Sequence, residues 1–355
     1  MPVHDLKALL VVRLGSMGDV IHAMPAVAAL RKTLPNATVG WVIEERWSEL
    51  LCAPSVAFSG AVSAQRPLAD HVHVVNTFKW RSSLFSGQTR KEVKERKREL
   101  RAGQYDAVVD FQGALKSSMI ARWAKAPAIY GFSHPREKIA RRFYSQAIEV
   151  SGAHIIEQNL SLAESVTGQR LPMIQPALPR DPAAESKMQQ WLHDRKISNF
   201  VLINPGAGWG AKQWPAERYG QVAKQLASDG LSCLVNFGPK EDTLAQAVVQ
   251  ASAGAAQPID CSITNLIALT RRASLFLGGD TGPMHLAAAL AVPVVAIFGP
   301  TDPGRNGPFG TRNLVLRNAA SITSYSHHGR VDEGLIKISS GEVVDAAREL
   351  LRSNQ

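Results

Sequence analysis

Apolar residues recur along the chain in short continuous runs, each followed by a segment whose apolar positions have helical spacing. The run Ala8–Leu14 is typical of a strand covered on both faces of a parallel sheet. A glycine turn follows it, and Val20–Thr33 then has the pattern of a helix that ends before Pro35. This alternation continues and predicts an α/β fold with a parallel, doubly wound sheet. Further elements of the first half are predicted as strands at 38–42, 72–75 and 107–110 and a helix at 157–166.

A proline-rich stretch after Gly168 separates this pattern from a second series of the same kind, and it predicts an interdomain linker. The length of 355 residues also exceeds what one hydrophobic core fills. The second series predicts strands at 200–204, 232–237, 275–277 and 292–298, and helices at 216–227, 241–251, 266–271, 284–290 and 341–351. We therefore predict a Rossmann-like domain at 1–170, a linker at 171–183, a second Rossmann-like domain at 184–335, and a closing helical segment at 336–355 that packs back on the first domain.

The expected site of chemistry is a cleft between the two domains, because open α/β sheets bind ligands at the carboxyl ends of their strands. No stretch approaches the roughly 20 apolar residues of a membrane span. Residues 1–7 lack the layout of a signal peptide, so we expect a cytoplasmic protein. The three cysteines lie far apart without C-x-x-C spacing, which predicts buried apolar residues rather than disulfides or a zinc site.

The net charge of +10 changes this picture, because it predicts an anionic partner. No helix-turn-helix, zinc-finger or aromatic stacking pattern accompanies the basic residues, so we predict no nucleic acid. An anionic membrane surface or an acidic glycolipid fits the charge. A plain alternative for the first basic run is a solvated helix face, in which Glu92, Glu95 and Glu99 pair with neighbouring cations. The cations concentrate in two runs: Arg90, Lys91, Lys94, Arg96, Lys97, Arg98 and Arg101, then Arg136, Lys138, Arg141 and Arg142.

The turn Gly15–Asp19 places a carboxylate and several backbone N–H groups at the start of a helix. Asp19 is a candidate catalytic base. The alternative is that Asp19 only caps the helix, which aspartate does well. The spacing of the two glycines does not match G-x-G-x-x-G, and this disfavours a nicotinamide dehydrogenase.

A second glycine-rich loop, Asn204–Pro215, joins a strand to a helix and carries a single lysine, Lys212. Backbone donors and an ammonium group of this kind can hold a diphosphate. The loop is not a Walker loop, because no Ser or Thr follows the lysine. Its plain alternative is a flexible connection with an exposed lysine.

A third loop, Gly278–His285, also ends a strand and opens a helix. Its glycines permit close backbone approach, and Asp280, Thr281 and His285 could hold the sugar and phosphates of a nucleotide sugar. A histidine in an apolar helix can also be purely structural. No D-x-D pair occurs, so we predict no metal on the donor diphosphate, and lysine and helix N-termini are expected to bind it.

Together these three loops resemble the ADP-heptose:lipopolysaccharide heptosyltransferases of glycosyltransferase family 9, and the resemblance covers nearly the whole chain. Its most specific mark is Asp280-Thr281-Gly282 with His285, and further agreement lies in the segments 41–45, 105–113 and 299–304. The turn Ser16-Met17-Gly18-Asp19 is most similar to that of members which add the first heptose to Kdo. The resemblance implies a GT-B architecture, an inverting single displacement, and no metal or other cofactor.

The resemblance also implies roles for the donor side. Asp19 would take the proton of the acceptor hydroxyl. Lys212, with the N–H groups of Asp280, Thr281 and Gly282, would stabilise the departing ADP diphosphate. Glu241 would bind the ribose or adenine, and His285 the phosphates or the heptose. The loop residues Ala207 and Gly208 stand where family members carry paired threonines that meet the donor phosphates.

On the acceptor side, the resemblance implies contacts from the first domain to Kdo carboxylates and lipid A phosphates. Arg141 is a further basic candidate. Arg13 departs from the family pattern, since family members carry lysine at this position. The change replaces a compact ammonium group with a planar guanidinium group. The acceptor residues implied are Ser16, Met17, Gly18, Lys79, Arg81, Lys116 and Arg136.

The function that this implies is transfer of L-glycero-D-manno-heptose from ADP-heptose to Kdo of Kdo-lipid A, by an enzyme peripheral on the cytoplasmic face of the inner membrane. Its partners would be ADP-heptose, Kdo-lipid A and the anionic membrane surface. One alternative is another core heptosyltransferase, which acts on an already heptosylated acceptor. A nucleotide-sugar epimerase shares the fold class and needs no lipid. A noncatalytic module that binds a nucleotide sugar or nucleic acid is the remaining alternative.

Overall fold

The computed structural model describes residues 6–83, 85–324 and 331–352. The chain divides after Asp181 into two compact units, and this point lies inside the expected linker at 171–183. Each unit contains one six-stranded sheet in which all described strand pairs are parallel. α-Helices or short 3₁₀ turns separate successive strands, so the predicted α/β class is confirmed.

The sheet of the first unit is built around a strand with no exposed residue, Ala8–Val12. Its strands are β1 (Ala8–Val12), β2 (Thr38–Glu44), β3 (His71–Val75), β4 (Ala107–Asp110), β5 (Ala128–Phe132) and β6 (Gln146–Ile148). They lie in the order β3-β2-β1-β4-β5-β6. The chain therefore reverses its direction of winding between β1 and β4, and loops on either side of such a point diverge and leave room for a ligand.

The helices of the first unit begin with α1, whose start differs from the prediction. It begins at Met17 rather than Val20, with Ser16 as N-cap, so that Asp19 lies in its first turn. The helices are α1 (Met17–Thr33), α2 (Thr77–Ser82), α3 (Gly87–Ala102), α4 (Leu115–Trp123) and α5 (Ile155–Thr167), with short 3₁₀ turns at Glu45–Leu50 and Lys138–Phe143.

The second unit repeats this plan. Its strands are β7 (Phe200–Asn204), β8 (Ser232–Phe237), β9 (Ala256–Asp260), β10 (Leu275–Gly279), β11 (Val294–Phe298) and β12 (Asn313–Arg317), in the order β12-β11-β10-β7-β8-β9. The winding reverses between β7 and β10. The helices are α6 (Pro182–Asp194), α7 (Ala216–Ser228), α8 (Asp242–Ala251), α9 (Ile263–Thr270), α10 (Gly282–Ala289), α11 (Pro303–Asn306), α12 (Glu333–Lys337) and α13 (Ser340–Arg352).

Helix α6 begins where the sequence predicts the end of the linker. Pro182 is its first residue, a position that suits proline because the missing N–H would have no helical partner there. The helix packs against α9 of the same unit. Glu185 of α6 forms ion pairs with Arg271 and Arg272 at the end of α9.

The closing helix α13 lies within the predicted closing segment 336–355. Its packing is against α7, β10, β11 and β12 of its own unit. Val343, Val344, Ala347 and Leu350 share one helix face and are buried in the core of the second unit. The amphipathic pattern that predicted a helix thus covers a face of the second sheet.

Trp214 connects this closing region to the start of α7. It is 1% exposed, its indole N–H donates to the carbonyl of Ile338 at 3.1 Å, and its ring meets Tyr219 edge-on with centroids 4.7 Å apart. Trp214 therefore fixes the junction between α12 and α13 against the core.

We predict that Trp214→Ala destabilises the second unit by about 3–5 kcal/mol, because it leaves a large cavity and an unpaired carbonyl. The matched control is Trp191→Ala on α6, a half-buried tryptophan, with an expected loss below about 1 kcal/mol. Urea unfolding followed by circular dichroism measures both. If the two variants lost the same free energy of unfolding, the contacts of Trp214 would not contribute more to stability than those of Trp191.

Candidate functional site

In the first unit, Asp19 lies just beyond the carboxyl end of β1. Its Oδ1 is 2.6 Å from Nη2 of Arg13, and its Oδ2 accepts hydrogen bonds from the N–H and the hydroxyl of Ser16 at 3.0 and 2.9 Å. About one third of the side chain, 34%, is exposed. Asp19 thus does cap α1, as the plain alternative expected, and its carboxylate is also open to a ligand at the sheet edge.

Arg13 is the partner that holds Asp19. The residue is 8% exposed, although its neighbours in β1 are apolar. Its guanidinium also donates to the carbonyl of Phe111, which follows β4. A buried guanidinium is costly unless it is paired, so Arg13 and Asp19 stabilise each other. In the sequence, Arg13 was noted only as a departure from the family pattern. The feature that could have revealed its role is that it is the single charged residue in an apolar run.

Asp110, at the end of β4, organises the adjacent turn. It is fully buried and accepts hydrogen bonds from the N–H of Gln112 at 2.9 Å, the N–H of Gly113 at 3.3 Å, and the hydroxyls of Ser117 and Tyr144, both at 2.8 Å. Burial raises the pKa of Asp110, and these four hydrogen bonds oppose that rise. The side chain of Gln112 in turn accepts the N–H of Leu14 at 2.8 Å. The turn after β4 is therefore fixed beside the turn that carries Asp19.

The predicted acceptor residues differ in their surroundings. Lys116 lies at this edge, 3.6 Å from the buried carboxylate of Glu44 and 3.4 Å from the hydroxyl of Thr77. Lys79 is 54% exposed and pairs with Glu92 at 3.0 Å, while Arg81 and Arg136 are exposed. Ser16 is exposed as well. Met17 and Gly18, also predicted as acceptor contacts, are buried in the first turn of α1.

In the second unit, three of the predicted donor residues contact one another. Nζ of Lys212 is 2.5 Å from Oδ2 of Asp280, and Nε2 of His285 is 3.2 Å from Oδ1 of the same carboxylate. The three side chains are only 16%, 8% and 7% exposed. Lys212 is therefore not the exposed lysine of a flexible loop. His285 is a buried histidine with a specific carboxylate partner.

The charge state of this cluster follows from its contacts. Burial by itself would raise the pKa of Asp280. The hydrogen bond and charge of His285, together with the charge of Lys212, outweigh burial and hold the pKa of that carboxyl well below its usual range. The ionised carboxylate therefore fixes Lys212 and His285 at the carboxyl edge of β7 and β10.

Helix α10 begins beside this cluster, with Thr281 as its N-cap and Gly282 as its first residue. Thr281 and Gly282 are partly exposed. The first N–H groups of a helix have no partner within it and carry partial positive charge, so they suit an anionic group. The ammonium group of Lys212 and this helix start thus lie on one part of the sheet edge, with the imidazole of His285 beside them.

Glu241 and the loop after β7 form a neighbouring group. Oε2 of Glu241 accepts the N–H of Gly238 at 2.7 Å. A Cβ added at Gly206 would lie 2.4 Å from Oε2, so the loop passes close to the carboxylate of Glu241. Ala207 is partly exposed, and Gly208 is exposed with open space where a side chain would extend. Both remain accessible from solvent.

Two further observations bear on cofactors and on the membrane. Within residues 6–83, 85–324 and 331–352, no three or more His, Cys, Asp or Glu side chains are grouped so that they could hold a metal ion. Among the helices just described, none has the length and apolar character needed to cross a bilayer.

Comparison with known proteins identifies the family of this chain. The family model described as glycosyltransferase family 9 (heptosyltransferase) matches residues 93–331, more than half of the chain. Lipopolysaccharide heptosyltransferase 1 of Pseudomonas aeruginosa is 29% identical over 314 residues, which are 87% of this chain and 83% of that protein. The enzyme of the same name from Escherichia coli K12 is 28% identical over 320 residues, 87% of this chain and 93% of its own.

A solved structure gives the same result. E. coli heptosyltransferase WaaC with ADP superposes with a TM-score of 0.77 and 26% identity, and covers 97% of this chain and 100% of its own. The predicted GT-B class of fold is confirmed by this likeness. The chain belongs to glycosyltransferase family 9, the heptosyltransferases.

Proposed function

We propose that this protein transfers L-glycero-D-manno-heptose from ADP-heptose to a Kdo residue of Kdo-lipid A, in synthesis of the lipopolysaccharide inner core. The observation that carries the proposal is the Lys212–Asp280–His285 cluster beside the start of α10. It holds an ammonium group and an imidazole in fixed positions beside the N–H groups of a helix start, which are the groups that a nucleotide diphosphate would need. Family membership and the relatives named heptosyltransferase 1 support the choice of sugar and acceptor.

In this proposal Asp19 is the general base. The acceptor hydroxyl donates its proton to the carboxylate of Asp19 as its oxygen bonds to the anomeric carbon of the heptose. The bond from that carbon to the phosphate oxygen breaks at the same time, and ADP leaves on the opposite face. One displacement of this kind inverts the anomeric centre. Arg13 and Ser16 orient the carboxylate, which limits the reorganisation needed for proton transfer.

The second unit stabilises the leaving group. Negative charge grows on the diphosphate as the sugar bond breaks, and Lys212, His285 and the N–H groups of Thr281 and Gly282 are positioned to offset it. Asp280 is not placed to contact an anion favourably, so its role is to hold Lys212 and His285 in place. We assign the nucleoside to Glu241 and the adjoining loop, and contact with the phosphates to the open backbone of Ala207 and Gly208. No metal ion or other cofactor is part of this proposal.

The acceptor is assigned to the carboxyl edge of the first sheet. Lys79, Arg81, Lys116 and Arg136 would meet the Kdo carboxylates and lipid A phosphates, together with Ser16 beside the base. Such an acceptor is anchored by its acyl chains, so the protein would act on the cytoplasmic face of the inner membrane as a peripheral enzyme.

The direct test combines purified protein with ADP-heptose and Kdo-lipid A, and follows both ADP release and the mass of the glycolipid. A gain of one heptose supports the proposal. A parallel reaction with an already heptosylated acceptor separates the two classes of core heptosyltransferase, and preference for it would contradict the Kdo assignment. A changed sugar nucleotide without acceptor would favour an epimerase instead.

We expect Asp19→Asn to lower kcat by about 10²- to 10⁴-fold, because the amide cannot take the proton. Asparagine still accepts the N–H of Ser16 but no longer carries the charge that pairs with buried Arg13, so the melting temperature should fall while the affinity for ADP remains that of the wild type. Asp194→Asn, an exposed site in the second unit, is the control. Full activity in Asp19→Asn would assign Asp19 to helix capping alone.

We expect Lys212→Met to lower kcat by about 10²- to 10³-fold, through lost stabilisation of the departing diphosphate. Lys224→Met removes an exposed lysine from α7 of the same unit and should leave kcat unchanged. Lys212→Arg keeps the charge beside Asp280, so it shows whether loss of folding explains the methionine variant. Steady-state kinetics with circular dichroism distinguishes these cases, and an unchanged kcat in a folded Lys212→Met protein would remove Lys212 from the mechanism.

A further inference from the structure

Residues 77–83 and 85–91, which we term the basic corner, have an unusual surface composition. They contain α2 and the first turn of α3. Their sequence carries four cations, Lys79, Arg81, Arg90 and Lys91, and no aspartate or glutamate. All four cations are exposed. The basic corner is therefore a local concentration of positive charge on the first unit.

Two phenylalanine side chains are exposed in the same corner. Phe85 is 86% exposed and Phe78 is 64% exposed. The guanidinium of Arg46 lies 5.0 Å from the ring centre of Phe78, which adds a fifth cation beside the corner. Large apolar side chains that are exposed to solvent beside basic residues indicate a surface that binds a membrane or another molecule.

The acidic residues of α3 compensate only part of this surface, because Glu92 pairs with Lys79 alone among the cations of the basic corner and Glu99 contacts His73 and Arg96. Glu92 accepts hydrogen bonds from Lys79, Trp80 and Gln88, at 3.0, 2.9 and 2.8 Å. Glu99 contacts His73 at 2.5 Å and also Arg96. The expectation that Glu92, Glu95 and Glu99 pair along the helix therefore holds only for the Arg96–Glu99 pair.

The outward face of α3 consequently remains basic. Arg90, Lys94, Arg98 and Arg101 are exposed and follow one another at intervals of four, four and three residues, which places them along a single stripe of the helix. None of the four forms an ion pair within the described parts of the chain. The only exposed acid on α3 is Glu95. We term these four residues the α3 stripe.

We propose that the basic corner and the α3 stripe form a docking surface for an anionic lipid bilayer, with Phe78 and Phe85 inserted at the boundary between headgroups and acyl chains. Basic side chains are attracted to anionic headgroups, and aromatic residues beside them gain by leaving water. The positive charge and the two protruding rings favour a bilayer over a nucleic acid. Proteins that bind single-stranded nucleic acid place their stacking rings along a positively charged groove that follows the phosphate backbone, whereas Phe78 and Phe85 protrude into solvent.

This surface has a defined relation to the candidate base. Helix α2 begins directly after the carboxyl end of β3, the edge of the first sheet at which Asp19 lies. Docking would bring that edge to the level of the headgroups, where the sugar of a lipid-anchored acceptor lies. The inference rests on the proposed function for the identity of the acceptor, but bilayer binding itself requires neither donor nor acceptor.

The first test is cosedimentation of the full chain with vesicles of phosphatidylethanolamine and phosphatidylglycerol, without substrates. We expect binding that weakens as salt is raised, and little binding to phosphatidylcholine vesicles. The double variant Phe78→Ser/Phe85→Ser should bind at least tenfold more weakly. Ile322→Ser, which removes an apolar side chain that is 78% exposed in the second unit, is the matched control and should bind like wild type.

The second variant tests the charges. Arg90→Gln/Lys94→Gln/Arg98→Gln should lose more than tenfold in vesicle binding, whereas Lys187→Gln/Lys224→Gln/Arg352→Gln removes the same charge from exposed sites of the second unit and should not. The proposal would be overturned if the wild-type protein did not bind anionic vesicles. It would also be overturned if both the Phe78→Ser/Phe85→Ser variant and the Arg90→Gln/Lys94→Gln/Arg98→Gln variant bound them as tightly as wild type. Tight binding of a mixed-sequence RNA without vesicle binding would also overturn it, in favour of a nucleic-acid surface.

Activity assays separate this inference from the proposed function. When Kdo-lipid A is embedded in anionic vesicles, the Phe78→Ser/Phe85→Ser variant should transfer heptose at least tenfold more slowly than wild type. When the acceptor is dispersed in detergent, the two proteins should have equal rates. Equal rates for the variant and wild type on vesicles would overturn the docking role. A protein that binds vesicles but transfers no heptose to either form contradicts the proposed function and leaves the docking surface intact.

Discussion

The central strands of both sheets are covered on each face, and this constraint decides where polar chemistry can lie. β1 and β7 each have five buried residues. Their backbone groups are paired in the ladders with both neighbouring strands. An unpaired polar side chain within such a strand would lose its hydration without compensation. Charged groups therefore concentrate where the strands end.

The two units apply this constraint in the same way. In the first, Asp19 follows β1 and Asp110 ends β4; in the second, Lys212 follows β7 and Asp280 follows β10. Both strand pairs flank the point at which the winding of the sheet reverses. The turns on either side are then fixed by charged contacts: Arg13 binds Asp19 and the carbonyl of Phe111, while Lys212 binds Asp280. Each sheet thus offers a rigid polar edge rather than a set of mobile loops.

Continuous apolar runs made the central strands predictable from sequence, and the strands that the sequence did not reveal lack that signal. β9 has two buried and three exposed positions and contains Pro258, β12 is half-buried throughout, and β6 has three residues. These three are edge strands, in which one side faces solvent and the pattern is weak. β5 is an interior strand, but its buried positions alternate with partly buried ones, so it also lacks a continuous apolar run. Helix α6 was hidden because Pro182 marks both the end of a linker and the start of a helix.

The candidate site was predictable as residues but not as contacts. The sequence assigned Lys212, Asp280 and His285 to the donor but not to contacts with one another, whereas the structure pairs Asp280 with Lys212 across 68 residues of chain and with His285 on the following helix. The roles of Asp110 and Arg13 could not be predicted from sequence, because they depend on contacts between the turns that follow the neighbouring strands β1 and β4. The inward direction of Glu92 and Glu99 depends on partners in other elements, Trp80 and His73, so helical spacing alone could not reveal the basic stripe.

The position of α13 affects the order in which the two units can be completed on the ribosome. All strands and helices of the first unit precede Asp181, so this unit can fold while the rest of the chain is still being synthesised. The second unit must wait for its last helix, since Val343, Val344 and Leu350 are part of its core. Until then, a face of its parallel sheet stays uncovered. A chain interrupted before α13 would carry a finished first unit beside an exposed apolar surface, the form that chaperones and proteases recognise.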